Sequence, residues 1–259
     1  MYDFHIHSIY SNDCKYDLED MVKSAVARKL KMIYCCDHFD VHNEPYKDLI
    51  FDTDEYRKEI RRINKKYKDI EILSGIELNL DISSIVRVDN VIDLNEFDMI
   101  ILAFHRINSV FLNDINYEKI DIDKNIYREY YKQIYNVIRK YKNYDVLGHI
   151  DYIDRFGPDI KFAHYKDIIA EILKILVKEN KGIEVSTSGF SHRVARQYPK
   201  KEILTLYKKL GGENIIVGSD AHYPEHVGFN CKSTINNLKK LGFKNISVFR
   251  KRGLQKIKI

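Results

Sequence analysis

The sequence contains little cysteine, and its four cysteines show none of the paired spacing found in metal-binding or redox motifs. Cys35 and Cys36 are adjacent within an apolar run, which favours reduced thiols in the cytoplasm over a disulfide framework. The chain also lacks an apolar run of the roughly 18 residues that a membrane helix requires. Because the first apolar run begins at Tyr2, we expect no signal peptide. These absences favour a soluble cytoplasmic protein.

Charge is not segregated along the chain. The 259 residues include 43 basic and 38 acidic side chains, for a net charge of +5, and the two signs are interspersed. So small an excess gives no reason to expect nucleic-acid binding, although it is compatible with a small anionic substrate. Because no repeat, low-complexity tract or linker divides the sequence, we expect a single domain spanning residues 1–259. The oligomeric state stays open.

Seven short apolar runs alternate with segments whose apolar residues recur at helical spacing. Each run has the composition of a buried parallel strand, and strand–helix alternation predicts a parallel sheet with right-handed crossovers. Seven such units predict an α/β fold that forms a closed or nearly closed barrel. Helices are expected over residues 17–31, 53–67, 121–141, 165–179, 200–210 and 232–241.

Each apolar run ends in a histidine or an acidic residue. Ligands gather at the carboxyl ends of the strands in α/β barrels, so these polar ends predict a shared site. His5 and His7 lie two residues apart and therefore point to the same side of their strand, as pairs of metal ligands do. We predict one multinuclear metal site assembled from the whole chain. The runs end at His7, His38, Glu77, His105, His149, Glu184 and His222.

Six short motifs around these ends carry a family resemblance. They are His5-Ile6-His7-Ser8, Cys36-Asp37-His38, Gly75-Ile76-Glu77, Phe104-His105, Gly148-His149 and Gly218-Ser219-Asp220-Ala221-His222. In this order they resemble the motifs of the PHP (polymerase and histidinol phosphatase) superfamily. The segment 184–189 and the pair Tyr198-Pro199 resemble the histidinol-phosphate phosphatase branch of that superfamily.

The resemblance implies a distorted (β/α)7 barrel that holds three divalent metal ions at the carboxyl ends of its strands. Histidine predominates among the implied ligands, which favours zinc, manganese or iron over magnesium. At Asp13 many relatives of this branch have histidine. The implied ligands are His5, His7, Glu77 and Asp220 for the first ion, Glu77, His105 and His149 for the second, and Asp13, His38 and His222 for the third.

The resemblance further implies a phosphomonoesterase, with L-histidinol phosphate as the expected substrate in histidine biosynthesis. A water that bridges two metal ions loses a proton near neutral pH and can attack phosphorus. Glu77, Asp220 and His222 are expected to be catalytic as well as metal ligands.

Two alternatives stay open. One is a PHP phosphoesterase acting on nucleotides, oligonucleotides or phosphotyrosine, since Leu102-Ala103-Phe104 precedes His105 where the histidinol branch commonly shows a glycine-serine pair. The other is a catalytically silent metal-binding module, although such a module would be expected to have lost ligands.

The expected substrate contacts follow the strand ends. Arginine matches phosphate oxygens in shape and charge, and Arg155 and Arg193 are preferred over Arg106 and Arg196. His192, beside Arg193, is a further candidate. Glu184 is expected to accept the ammonium or imidazole of an amino-alcohol phosphate, the alternative being a structural carboxylate. Asp37 would either orient a metal ligand or bond to backbone. The loops at 81–97 and 106–120 are each either a lid or a surface loop.

Overall fold

The computed structural model describes residues 1–42, 48–108, 110–117 and 125–259. Within these residues, seven parallel strands form one sheet in the order β1-β2-β3-β4-β7-β8-β9. The seven predicted apolar runs are therefore all strands of one sheet. Their bounds are Tyr2–Ile6 (β1), Met32–Val41 (β2), Glu71–Leu80 (β3), Met99–Ala103 (β4), Val146–Leu147 (β7), Gly182–Ser186 (β8) and Ile215–Gly218 (β9).

The first and last strands meet along a seam that nearly closes the sheet. Just beyond β1 and β9, the backbone N–H of His7 donates to the carbonyl of Ala221 at 2.9 Å, and that of Asp220 donates to the carbonyl of His5 at 2.8 Å. The buried carboxylate of Asp3 accepts hydrogen bonds from the backbone and hydroxyl of Ser219, at 2.7 and 2.5 Å. The predicted distorted (β/α)7 barrel is confirmed.

Six of the seven α-helices among the described residues correspond to segments predicted from apolar spacing, and the helix Ile85–Val91 is the exception. For example, α2 begins where the Asp52 carboxylate accepts from two backbone N–H groups, and it buries Tyr56, Ile60 and Ile63 along one face. Residues 121–124 of one predicted helix lie outside the described residues. The helices are Leu18–Ala27 (α1), Thr53–Lys66 (α2), Ile85–Val91 (α3), Asn125–Lys140 (α4), Lys166–Lys178 (α5), Lys201–Lys209 (α6) and Cys231–Lys240 (α7).

The structure adds detail to three local expectations. The predicted helix at 17–31 ends at Ala27, because Lys29 takes a left-handed backbone conformation with φ of 58° and ends the helix. The predicted loop at 81–97 contains α3, whose run of valine and isoleucine has low helix propensity and gave no helical signal. The predicted loop at 106–120 contains a small hairpin of Arg106–Ile107 (β5) and Val110–Phe111 (β6); residues 109 and 118–120 are not described.

A C-terminal hairpin of Asn245–Arg250 (β10) and Gly253–Lys258 (β11) lies at the amino end of the barrel. The Tyr34 hydroxyl, near the start of β2, accepts from the Phe249 backbone N–H at 2.8 Å, and Arg250 pairs with Glu71 at the start of β3. The hairpin leaves the carboxyl ends of the strands uncovered. Within the described part of the chain, no helix is long and apolar enough to cross a membrane.

Strands β2 and β3 position the site. Both are ten residues long and pair in parallel register, which places His38 beside Glu77 and Asp40 beside Asn79. Because side chains alternate along a strand, these four residues all point to the same side of the sheet. The barrel therefore presents two successive levels of polar side chains at its carboxyl end.

Candidate metal centre

Glu77 lies at the middle of a cluster of histidines and is completely buried. Its Oε2 atom lies 3.5 Å from Nε2 of both His5 and His7 and 2.7 Å from Nδ1 of His38. Its Oε1 atom lies 2.9 Å from Nε2 of His149 and 3.5 Å from Nε2 of His105. One carboxylate thus lies close to five imidazoles from the ends of four strands, as a ligand shared between metal ions would.

The side chains expected to bind metal ions come together in overlapping groups. Asp220 Oδ1 lies 3.1 Å from His7 Nε2, and Asp13 lies 3.3 Å from His222 Nε2 and 3.5 Å from that of His38. Every residue predicted as a ligand is therefore in the cluster. Three groups whose ligand atoms all lie within 4.8 Å of one another are His5, His7 and Glu77; Glu77, His105 and His149; and His7, His38 and His222.

Neighbouring groups fix the tautomers of three of these histidines. The Nδ1–H of His5 donates to Glu184 Oε1 at 2.6 Å, and that of His222 donates to the Asp220 carbonyl at 3.0 Å. The His7 Nδ1–H donates to Ser11 Oγ at 2.9 Å, since the Ser11 hydroxyl hydrogen is used by Asp37 at 2.7 Å. In each case Nε2 keeps a lone pair that is directed into the cluster, the form that binds metal.

The unsatisfied atoms of the cluster fit a set of divalent cations. Among the described residues, His5 Nε2, His38 Nδ1 and Glu77 Oε2 are buried and form no hydrogen bond of acceptable geometry, although the last two atoms are only 2.7 Å apart. Two pairs of ring nitrogens face each other, His105 with His149 at 3.5 Å and His38 with His222 at 3.4 Å. Buried polar atoms are normally satisfied, and imidazole with carboxylate is a donor set suited to zinc, manganese or iron. The residues present therefore fit metal ions.

Electrostatics keep Glu77 and His7 in ligand-competent states. Burial opposes ionisation of Glu77, but the neighbouring His38, His5 and His105 hold its pKa well below the usual range. Burial together with the adjacent His222 and His38 lowers the pKa of His7 well below its usual value. An ionised carboxylate and a neutral imidazole are the forms that coordinate a cation.

The backbone at the end of β9 is shaped to admit these side chains. A Cβ at Gly218 would lie 2.4 Å from the His5 Cβ, so only glycine allows β1 and β9 to approach this closely. Asp220 takes a left-handed conformation with φ of 55°, which is uncommon for a residue other than glycine. Such conformations concentrate at functional sites, where the surrounding structure holds them in place.

A cavity of about 550 Å³ opens over the cluster. Arg155 and His192 line it, as expected for substrate contacts. The Arg155 guanidinium donates to the Tyr152 hydroxyl at 3.1 Å. Burial and the nearby Arg155 lower the pKa of His192, which favours a neutral imidazole at this wall.

Three of the four predicted arginines are not among the described residues that line this cavity, and their contact with a substrate stays a prediction. Arg193 donates to the backbone carbonyls of Asp154 and Gly157, and Arg196 pairs with the carboxylates of Asp151 and Asp154. Arg106 is buried, with its guanidinium carbon 3.7 Å from the centroid of the Phe111 ring. A contact between Arg193 and a substrate would require it to leave its two carbonyl partners.

Glu184 supports two of the predicted metal ligands. It is completely buried, and its two oxygens accept from the ring of His5 and from the backbone N–H of His149 at 3.0 Å. Both oxygens are used behind the metal ligands, which favours the structural alternative, and the contact with substrate stays a prediction. Asp37 fulfils both of the roles considered for it, since it accepts from the Ser8 backbone and supports His7 through Ser11.

Sequence reasoning missed Ser11 and Asp40. Ser11 lies in the loop after β1, where nothing in the sequence sets it apart from other serines. Asp40 lines the cavity and lies two residues beyond His38 on the same strand. Strand alternation is a signal that could have identified it.

Comparison with known proteins adds independent information. A family model described as PHP domain matches residues 3–188, more than half of the chain. A histidinol-phosphatase of Lactococcus lactis is 31% identical over 95% of this chain and 93% of its own length. A probable histidinol-phosphatase of Clostridium acetobutylicum is 27% identical over 97% of this chain and 98% of its own. The crystal structure of Lactococcus lactis histidinol phosphate phosphatase with zinc, L-histidinol and phosphate superposes with a TM-score of 0.88 at 27% identity, covering 98% of both chains.

Proposed function

Because this chain belongs to the PHP domain family, we propose that it is a metal-dependent phosphatase that hydrolyses L-histidinol phosphate to L-histidinol and phosphate in histidine biosynthesis. The family membership indicated by the strand-end motifs is confirmed. The observation that carries the proposal is a single cluster of the nine predicted metal ligands, six of which line one cavity. Full-length similarity to histidinol-phosphatases supports the substrate.

The proposed cofactor is a set of three divalent ions, namely zinc, manganese or iron. Zinc is present in the similar Lactococcus lactis structure, which supports this choice. Divalent ions lower the pKa of a coordinated water and neutralise charge on phosphoryl oxygens. Their proposed ligands are His5, His7, Asp13, His38, Glu77, His105, His149, Asp220 and His222.

The protein side chains would supply orientation and charge. Arg155, on the cavity wall, would donate to phosphoryl oxygens, and its guanidinium is suited to that geometry. Glu77, Asp220 and His222 would fix the reacting oxygen relative to phosphorus, since all three are held by hydrogen bonds or imidazole contacts. The neutral His192 could accept a hydrogen bond or a proton from a substrate group.

The proposed partner is a small phosphorylated molecule, which fits a cavity of about 550 Å³ better than a nucleic-acid strand does. We also propose a cytoplasmic location, which the four buried free thiols favour.

The test is a substrate panel. Purified protein reconstituted with zinc or manganese should release phosphate from L-histidinol phosphate with the highest kcat/KM among phosphomonoesters. Nucleotides, an oligonucleotide and phosphotyrosine are the matched comparisons. Hydrolysis of aryl phosphates without hydrolysis of L-histidinol phosphate would refute the proposed substrate but would still support phosphatase activity.

The control is the double variant His5→Ala and His7→Ala, in which metal content and activity should be lost together. A metal-loaded parent protein with no detectable activity on the whole panel would support a silent metal-binding module instead.

A further inference from the structure

Asp40 is a buried carboxylate on the cavity wall that the proposed metal ligands do not use. The acidic residues among the described lining of the cavity are Asp13, Asp40 and Asp220. Asp13 contacts His38 and His222, and Asp220 contacts His7, so both belong to the metal cluster. Asp40 is 3% exposed and needs a separate explanation.

The register of β2 and β3 places Asp40 one level above the metal cluster. It follows His38 by two residues, which corresponds to about 6.6 Å along the strand towards the cavity mouth. A carboxylate oxygen of Asp40 lies within 4.8 Å of ring nitrogens of His38 and His105. A substituent that extends from a phosphate bound at the cluster towards the cavity mouth would therefore lie beside this carboxylate.

Only one of the two carboxylate oxygens of Asp40 accepts a hydrogen bond from the described residues. Oδ2 accepts from Asn79 Nδ2 at 3.3 Å and lies 3.5 Å from His42 Nε2. Oδ1 is buried and has no hydrogen-bond partner among the described residues. The backbone of Asp40 is fixed by two hydrogen bonds with Leu49, at 2.8 and 3.0 Å. A buried carboxylate with an open oxygen is costly unless a donor or a cation completes it.

The polar side chains in and beside the cavity wall have a definite arrangement. Arg155 follows β7 and His192 follows β8, whereas Asp40 and Asn79 extend from β2 and β3. In the strand order, β4 separates these two pairs of strands on one side, and β9 and β1 separate them on the other. The cavity is therefore suited to a ligand with an anionic group at the metal cluster and a cationic group beside β2.

We propose that Asp40 recognises the primary ammonium group of an amino-alcohol phosphate and thereby selects the substrate. This inference rests on the proposed function and deepens it. In L-histidinol phosphate the ammonium is carried by the carbon next to the ester methylene. A phosphate held at the histidine cluster would bring that ammonium to the level of Asp40, where the open Oδ1 would accept its hydrogen bond.

The experiment compares two substrates that differ only in the ammonium group. They are L-histidinol phosphate and 3-(imidazol-4-yl)propyl phosphate, assayed with zinc-loaded protein. A charge-assisted hydrogen bond predicts that the wild-type protein prefers the amine by about 10- to 100-fold in kcat/KM. In Asp40→Asn this preference should fall to within about threefold, mainly through a higher KM for L-histidinol phosphate, with the metal content unchanged.

Asp48→Asn is the matched control. Asp48 is a neighbouring carboxylate that pairs with Arg87 and does not line the cavity, so its variant should keep the wild-type preference. Asp40→Ser, tested in parallel, removes the carboxylate with a different side chain in case Asp40→Asn folds poorly.

Three results would overturn the inference while leaving the phosphatase function intact. They are a wild-type protein without preference for the amine, an Asp40→Asn variant that loses activity equally on both substrates, and an Asp40→Asn variant that loses metal, which would make Asp40 a ligand. Failure of the wild-type protein to hydrolyse L-histidinol phosphate at all would instead refute the proposed function.

Discussion

Replacing Glu184 with glutamine should weaken metal binding rather than substrate binding. The Glu184 carboxylate accepts from two donors, the His5 ring N–H at 2.6 Å and the His149 backbone N–H at 3.0 Å. Glutamine offers one acceptor oxygen and one NH₂ group, so one of these buried donors loses its partner. An unsatisfied buried donor costs about 1–3 kcal/mol. Loss of the carboxylate charge also makes His5 a weaker base and therefore a weaker ligand.

The expected result for Glu184→Gln is a 10- to 100-fold loss of zinc affinity, of the order found for groups that support metal ligands. That loss corresponds to about 1.4–2.7 kcal/mol. It is measured by competition with a chromophoric chelator at fixed pH. At saturating zinc, KM for L-histidinol phosphate should be close to the wild-type value.

The control for this prediction is Glu171→Gln, which alters an exposed glutamate paired with Lys174 on α5 and should change neither quantity. Unchanged zinc affinity together with a raised KM would refute the reasoning. It would indicate that Glu184 contacts the substrate, as the sequence suggested.

Three further predictions concern other parts of the structure. Gly218→Ala should lower both the zinc content and the Tm, because the added Cβ would lie 2.4 Å from the Cβ of His5. Overpacking of this kind costs about 1–3 kcal/mol of folding free energy. Metal analysis measures the zinc content, and thermal melts measure the Tm. Arg155→Ala should raise the KM for L-histidinol phosphate about 10- to 100-fold in steady-state kinetics, because Arg155 lines the cavity. Arg196→Ala should instead lower the Tm in thermal melts without changing the KM, because Arg196 pairs with Asp154. Burial and the adjacent Asp151 raise the pKa of Asp154 from 3.8 to about 6, so the folded state holds a proton that the unfolded chain releases first. The contribution of this group to the free energy of unfolding should therefore fall as pH rises through that window. Denaturant titrations at several pH values should show this fall in the wild-type protein and its absence in Asp154→Asn.

The polar strand ends made the barrel and the metal cluster predictable. An apolar run followed by histidine or glutamate contains both the strand and the ligand, so His5, His105 and His149 could be placed before any coordinates. The alternation of side chains also gave the common direction of His5 and His7. Helix α3 was missed because its β-branched residues favour strands, and tertiary packing overrides that preference.

The residues around the metal ligands were less predictable, because their positions depend on distances between segments far apart in the chain. Nothing in the sequence distinguishes an arginine that faces the cavity, such as Arg155, from one that pairs with Asp151 and Asp154, such as Arg196. Glu184 was identified as important, but the sequence did not indicate its contacts with His5 and His149. Its role depends on the pairing of β8 with β9 and the approach of β1, which sequence spacing does not specify.

The seam between β1 and β9 has a consequence for biosynthesis. Asp3 and Ser219, which it joins, are 216 residues apart in the chain, and ligands lie beside both. His5 and His7 therefore leave the ribosome long before Asp220 and His222, the other ligands of their site, have been synthesised. Such long-range pairing slows folding, and ions that bind only the finished cluster add their binding energy to the closed barrel. Metal binding therefore stabilises the barrel only after the seam between its first and last strands has formed.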